Sequence, residues 1–264
     1  MSKYLAFSTI QIMDSELILY LFYDKDFPLI LPPPYNEVEP EGNCACLQAC
    51  DDMAALNDEL ALTGRMLKQV QGQGLSLSVY RRENKARADD SAVRLSHDLL
   101  QQMNTCKFGL DYSYYAYHER NTRYSQVMSF FLITFPGGEV DAGLPPNIPW
   151  LFGDKYRGQR FVMTPDITAL ADWLSYLAKQ AITCPELRID YFSEGSMVIW
   201  YMSAEDEIRS LDALSCNVEL RIHPAMLLPE DDAIAPLFQY LMRSSVWREC
   251  LQPPCEGNDE ILFS

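Results

Sequence analysis

Histidine is scarce in this chain, basic residues are outnumbered, and no long apolar run interrupts it. Each shortage narrows what the protein is expected to do. Only His97, His118 and His223 occur among 264 residues. Nucleophilic chemistry of the Ser-His-acid kind needs a nucleophile, a base and an orienting acid gathered in space, so few places are open to it. No Gly-x-Ser-x-Gly elbow marks a nucleophile. Nucleotide cradles are missing too. Gly72 and Gly74 follow a predicted helix instead of joining a strand to one, and no Gly-x-x-x-x-Gly-Lys-Ser/Thr loop occurs.

No stretch reaches the roughly 20 apolar residues of a membrane span. The best candidate, Leu17 to Tyr23, is short and follows Asp14 and Glu16. Lys3 is the sole basic residue before those acids, and no apolar core leads to a small-residue cleavage site, which argues against a secretory signal. A soluble, cytoplasmic protein is the expectation.

What the chain has in excess is negative charge. The 37 Asp and Glu outnumber 21 Lys and Arg, a formal net charge of −16. Such a surface repels a phosphate backbone and anionic lipid headgroups alike, so neither nucleic acid nor a membrane is an expected partner. It suits a basic protein, because complementary potential speeds encounter and sharpens selectivity. The plainer reading is that acidity serves solubility.

With 48% hydrophobic residues the chain is long enough to bury a substantial core in one domain or two. Strands are expected at 4–12 and 16–23, forming an N-terminal hairpin, and at 75–80, 108–118, 124–135, 187–192, 197–202 and 217–223. Glu194-Gly195 is read as the turn of a second hairpin. Helices are expected at about 47–70, from Asp89 or Asp90 to Met103, from Thr164-Pro165-Asp166 to about Ile182, and from about Asp231 to Leu241. The class is therefore α+β, with mainly antiparallel sheet and about four helices packed on one face. Gly and Pro throughout 136–160 suggest a connection between an N-terminal unit, 1–135, and a C-terminal unit, 161–264, unless the whole is a single domain. Thr105-Cys106 followed by Leu110-Asp111-Tyr112 is echoed by Thr183-Cys184 followed by Ile189-Asp190-Tyr191. A weakly duplicated helix–hairpin unit is one explanation and coincidence the other.

Four features compete for a functional role. Cys44, Cys46 and Cys50 are dense enough to raise the question of zinc, but paired Cys-x-x-Cys knuckles are absent and no histidine is near. Thiols used as small apolar residues are the preferred reading, with no metal or other cofactor. His118 beside Glu119 ends a strand and is the pair to inspect if the protein is an enzyme. Pro32-Pro33-Pro34-Tyr35 matches the Pro-Pro-x-Tyr pattern taken by extended-peptide readers, though a stiff loop accounts for it. The most distinctive segment is Tyr112-Ser113-Tyr114-Tyr115-Ala116-Tyr117. On a strand Tyr112 and Tyr114 share one face and Tyr115 and Tyr117 the other, so one face fits a core and one an interface, where tyrosine is enriched.

Taken together these favour a non-enzymatic acidic protein that binds or inhibits a cationic partner. An immunity protein neutralising a toxin is a concrete form, with Tyr112, Tyr114, Tyr115, Tyr117 and Glu119 as partner-binding candidates. The alternatives are an enzyme with a site near His118 and Glu119, and a structural scaffold, for which a homo-oligomer is the natural form.

Overall fold

In the apolar run after Asp14 every second side chain turns inward. Leu17, Leu19 and Leu21 are buried, while Ile18, Tyr20 and Phe22 lie on the opposite face of strand β1 (Ser15–Phe22). The structure is a computed structural model in which residues 15–83, 92–116, 130–134, 151–156, 159–164, 174–179, 186–193 and 197–224 are described.

Both edges of β1 are occupied, by β2 (Cys44–Ala49) on one side and β3 (Ser76–Glu83) on the other. Residues 4–12, the other half of the expected N-terminal hairpin, lie outside the described residues. Alternation overrides the helix expected from Leu47: Ala45 and Leu47 point inward with Cys46 and Gln48 outward, so 44–49 is a strand. The helix starts only after Asp52, whose carboxylate accepts the Ala55 N–H at 2.8 Å and caps α1 (Met53–Met66).

The chain continues through β4 (Val93–Leu95), α2 (His97–Cys106), β5 (Gly109–Ala116), β6 (Phe130–Thr134), β7 (Leu151–Tyr156) and β8 (Gln159–Thr164). A helix described over 174–179 (α3) follows. Then come β9 (Glu186–Ser193), β10 (Met197–Met202), α4 (Glu207–Ala213) and β11 (Asn217–Pro224). The cap expected from Asp89 or Asp90 is supplied instead by Ser96, which accepts from Leu99 N–H at 3.2 Å. Asp89, Asp90, Asp231 and the helix expected near Asp231 lie outside the described residues.

The strands form a five-stranded sheet, ordered β10-β5-β3-β1-β2, and a six-stranded sheet, ordered β4-β11-β9-β6-β8-β7. Seven of their nine pairings are antiparallel; β3 with β5 and β9 with β11 are parallel. The α+β class thus holds. Strands β9 and β10 do not form the expected hairpin: they belong to different sheets, and β10 pairs with β5. The inward faces of both sheets and side chains of all four helices meet in one buried cluster, where Trp200 of β10 lies 6.1 Å from the ring of Tyr191 of β9.

The two sheets repeat one plan. In the first, β3 pairs antiparallel with β1, then β4 leaves for the other sheet, then α2 leads to β5 parallel to β3. In the second, β9 pairs antiparallel with β6, β10 leaves for the first sheet, and α4 leads to β11 parallel to β9. The registers coincide as well. Leu110 faces Leu77 and Met202 as Val218 faces Leu187 and Leu95. Among the described residues, the two non-glycine positions with positive φ, Lys107 (61°) and Ser215 (53°), end α2 and α4 at equivalent points. Ser203 Oγ accepts Asp206 N–H at 3.1 Å, as Ser96 Oγ accepts Leu99 N–H. Counted back from those left-handed residues, Asn104 corresponds to Asp212, and the two bond each other, Nδ2 to Oδ2, at 2.8 Å. An approximate two-fold axis passes between them. The duplication sensed in the sequence therefore has a different register: β5 corresponds to β11, not to β9, and Asp111 corresponds to Glu219.

Candidate functional site

Away from the core, the five-stranded sheet presents side chains that a solvated strand face does not normally carry. Ile18, Tyr20 and Phe22 of β1, Tyr80 of β3, Tyr115 of β5, and Ile199 and Tyr201 of β10 all lie on this face. Four rings form a diagonal band: Phe22 and Tyr20 are 6.3 Å apart, Tyr20 and Tyr80 6.5 Å, Tyr80 and Tyr115 5.2 Å, all within the range of favourable aromatic contact. Ile199 and Tyr201 are 52% and 54% exposed. An exposed apolar patch of this kind marks an interaction surface more often than a lone exposed residue does.

Between the ring band and Tyr201 the residues are small. Ser76 and Ser78 of β3 and Gly109 and Ser113 of β5 make a low floor, and Asp111 stands in it, directly opposite Ser78 on one side and Tyr201 on the other. A Cβ added at Gly109 would meet Tyr201 Oη at 3.4 Å and Ser76 Oγ at 3.5 Å, so the phenol of Tyr201 leans over bare backbone. Ser76 Oγ donates to Asp111 Oδ2 at 3.2 Å. Burial raises the Asp111 carboxyl above its usual range, and the Ser76 bond offsets only part of this. Among the described residues no lysine or arginine forms an ion pair with it.

The expected tyrosines divide by strand period. Tyr112 and Tyr114 turn inward with Leu110, each 1% exposed, so neither can meet a partner at the surface. Tyr114 Oη donates to Glu83 Oε2 at 3.0 Å, and the Arg81 guanidinium lies 4.7 Å from its ring centre. Burial pushes the phenols of both tyrosines up. Tyr115 alone is placed on the outer face, as expected for its parity. Tyr117, His118 and Glu119 lie outside the described residues. Tyr35 of the proline motif is buried and hydrogen-bonded to Glu59 and Thr63 of α1, so the motif is anchored by its tyrosine rather than displaying it. Asp111, Tyr20, Tyr80 and Tyr201 were missed as site residues. The available signal was the aromatic content of the second face of β1, where an amphipathic strand would carry polar groups.

The cysteines are not on a helix. Cys44 and Cys46 lie on the outer face of β2, and Cys50 follows it. Burial raises all three thiols, with carboxylates or the neighbouring thiol adding to the effect, which opposes the thiolate form that metals require. Among the described residues no three His, Cys, Asp or Glu side chains gather to hold a metal ion, and no helix is long and apolar enough to cross a membrane. His97 Nε2 lies 3.4 Å from Asp212 Oδ1 at the approximate two-fold, a contact between α2 and α4.

The equivalent positions on β4, β9 and β11 of the six-stranded sheet are ionic. Glu219, the counterpart of Asp111, meets Arg188 at 3.0 Å, Arg221 at 3.4 Å and Arg94 at 3.5 Å. Beside them a cleft of about 570 Å³ opens between α1, β4, β9 and β11. Its lining mixes Arg94 and Arg188 with Asp58, Glu186 and Glu219, so it selects neither sign of charge. Asn57 clamps one wall, donating to Ala92 O at 3.1 Å and accepting Arg94 N–H at 2.8 Å. Comparison of the chain with protein-family models, curated proteins and solved structures returned no match.

Proposed function

We propose that this protein is a non-enzymatic binding or inhibitory protein that occludes a cationic protein partner, and that the outer face of the five-stranded sheet makes the contact. The observation that carries the reading is the aromatic face itself: Tyr20, Phe22, Tyr80, Tyr115, Ile199 and Tyr201 side by side on one sheet surface. Tyrosine is a common anchor of protein interfaces because it buries a large ring at low entropic cost and keeps a polar tip. The formal charge of −16 supplies the other half, a long-range field that draws in a basic protein and repels polyanions. Neutralising a toxin by covering its surface is one concrete form of this activity. A cytoplasmic site of action belongs to the same proposal.

The test is capture by the intact chain at low and moderate salt, alongside Tyr201→Ala and Ile199→Ala. The expected result is a basic polypeptide retained by the native chain, released as salt rises and weakened by either variant. Because both positions are exposed, their loss leaves folding intact. Retention of no basic polypeptide, or equal retention by the variants, overturns the reading.

A further inference from the structure

We propose that Asp111 is the anchor for one arginine side chain of the partner, received in the trough between the Tyr20–Tyr80 rings and Tyr201. The inference rests on the function proposed above and gives that surface its chemistry.

The floor and walls of this trough differ in size. Ser76, Ser78, Gly109 and Ser113 are small, with Ser78 6% exposed, and Tyr80 on β3 and Tyr201 on β10 are the larger side chains around them, the Tyr201 phenol reaching over Gly109. Directly opposed residues on neighbouring strands have Cβ atoms about 5 Å apart. Tyr201 is therefore the immediate neighbour of Asp111, with its phenol over Gly109. A planar cation reaching Asp111 would lie beside the Tyr201 ring.

Asp111 itself is incompletely satisfied. A carboxylate offers about four acceptor positions, and among the described residues one donor reaches it, Ser76 Oγ at 3.2 Å. It has no cationic partner there, in contrast to its counterpart Glu219, which has three. A partly buried acid without a cation is an unfavourable arrangement for the free protein, and a ligand cation relieves it. Burial raises its carboxyl, the shift that an arriving cation would reverse.

The occupant is a guanidinium in preference to an ammonium. Arginine is planar, stacks on tyrosine faces, and gives a carboxylate two parallel N–H bonds. Lysine is a strongly hydrated point charge that exploits neither the walls nor the paired oxygens. The formal charge of −16 favours arrival of a basic segment.

The experiment is an NMR titration of the full chain, reading the backbone amides of Asp111, Ser113 and Tyr201. The probes are the peptide Gly-Gly-Arg-Gly-Gly and its citrulline, lysine and unsubstituted glycine versions. Citrulline keeps the planar shape and removes the charge. The arginine peptide is expected to shift these amides saturably, with the citrulline and lysine peptides weaker by about tenfold or more, the scale of a charge-assisted pair. Asp111→Asn, which keeps the side-chain shape, is expected to erase the preference for arginine over citrulline while melting as the native chain does. Equal affinity for arginine and citrulline, or saturable shifts by the arginine peptide confined to other residues, overturns the proposal. So does an arginine preference that survives in Asp111→Asn.

Capture experiments separate this inference from the function it deepens. If Asp111→Asn retains the basic polypeptide as well as the native chain does, while Tyr201→Ala does not, the arginine anchor fails and the binding face stands. If the arginine peptide binds at Asp111 but no basic polypeptide is captured, the function fails and the cation site stands.

Discussion

The outer faces of the two sheets occupy equivalent places in a duplicated scaffold and differ in almost every side chain. Where the five-stranded sheet has Asp111 with Ser78, Ser113 and Tyr201 around it, the six-stranded sheet has Glu219 with Arg188, Arg221 and Arg94. The acid persists at both positions and its surroundings do not. On one side three arginines pair with it in a half-exposed ionic cluster. On the other, rings and serines surround it and, among the described residues, no cation pairs with it. The inward residues at the same registers remain apolar, Leu110 and Tyr112 matching Val218 and Leu220. Packing constrains a core at the level of single methylenes, while an outer face is free to change its chemistry. That difference is why the five-stranded face is the place to look for recognition.

The strongest way to break the comparison is at the point where the equivalent halves meet. Asn104→Asp places two carboxylates where Asn104 and Asp212 now share a hydrogen bond. At neutral pH a loss of about 2–4 kcal/mol is expected. Two acids in contact hold a proton to higher pH than either alone, so the folded state binds more protons than the unfolded one. The variant should therefore recover stability relative to the native chain as pH falls into the carboxylate range. Urea midpoints of both chains at pH 8 and pH 5 check this, and the native chain accounts for the nearby His97.

Next in size is Glu219→Gln, which leaves three arginines around a neutral amide. It should cost about 1–3 kcal/mol, seen as a lower urea midpoint with an unchanged slope. Tyr201→Arg makes the opposite conversion, giving Asp111 the cross-strand partner that Arg94 provides for Glu219. Stability should hold or rise slightly, while the arginine peptide binds about tenfold more weakly. The smallest effect on stability belongs to Asp111→Asn. Because burial raises the native carboxyl, the ionised form is disfavoured on folding, and this penalty grows as pH rises through the raised value. The variant should therefore melt at or slightly above the native temperature at pH 7 and lose that advantage at acid pH. A variant clearly less stable at pH 7 would show that Asp111 is structural and that the two faces do the same job.

Local period was legible in the sequence where one buried face imposes it. The strand at 75–80 is read from clean alternation, strands near 108–118, 187–192, 197–202 and 217–223 are likewise expected, and strand period separates Tyr112 and Tyr114 from Tyr115. Residues 47–49 read as the start of a helix because Leu47 and Cys50 fit helical spacing over so short a span, yet they complete β2. Helix α4 was overlooked since Glu205, Asp206, Glu207 and Arg209 mask its few buried residues, Ile208 and Leu211. Pairing was the harder problem. Adjacent strands such as β9 and β10 suggest a hairpin, yet Trp200 packs opposite Tyr112 from far away in the chain. The site depended on that pairing. Asp111 gains its meaning from Ser76 and Tyr201, which no local window brings together, whereas the tyrosines beside it stand out in the sequence by themselves. The repeat was sensed through three similar residues, but shared helix-end geometry at Lys107 and Ser215 identifies the true correspondence.

The exchange of β4 and β10 also sets a clock on synthesis. Strand β5 is made early, and its outer edge is covered only when β10 arrives. At about 5–20 residues per second, the stretch between Tyr112 and Trp200 emerges over roughly 4–18 s, during which that edge has unpaired amides and carbonyls. Such an edge is a template for other chains. In the finished protein β10 covers this edge from Leu110 to Tyr115, so its exposure belongs to synthesis alone. Over that interval any other strand that meets the edge competes with β10 for it.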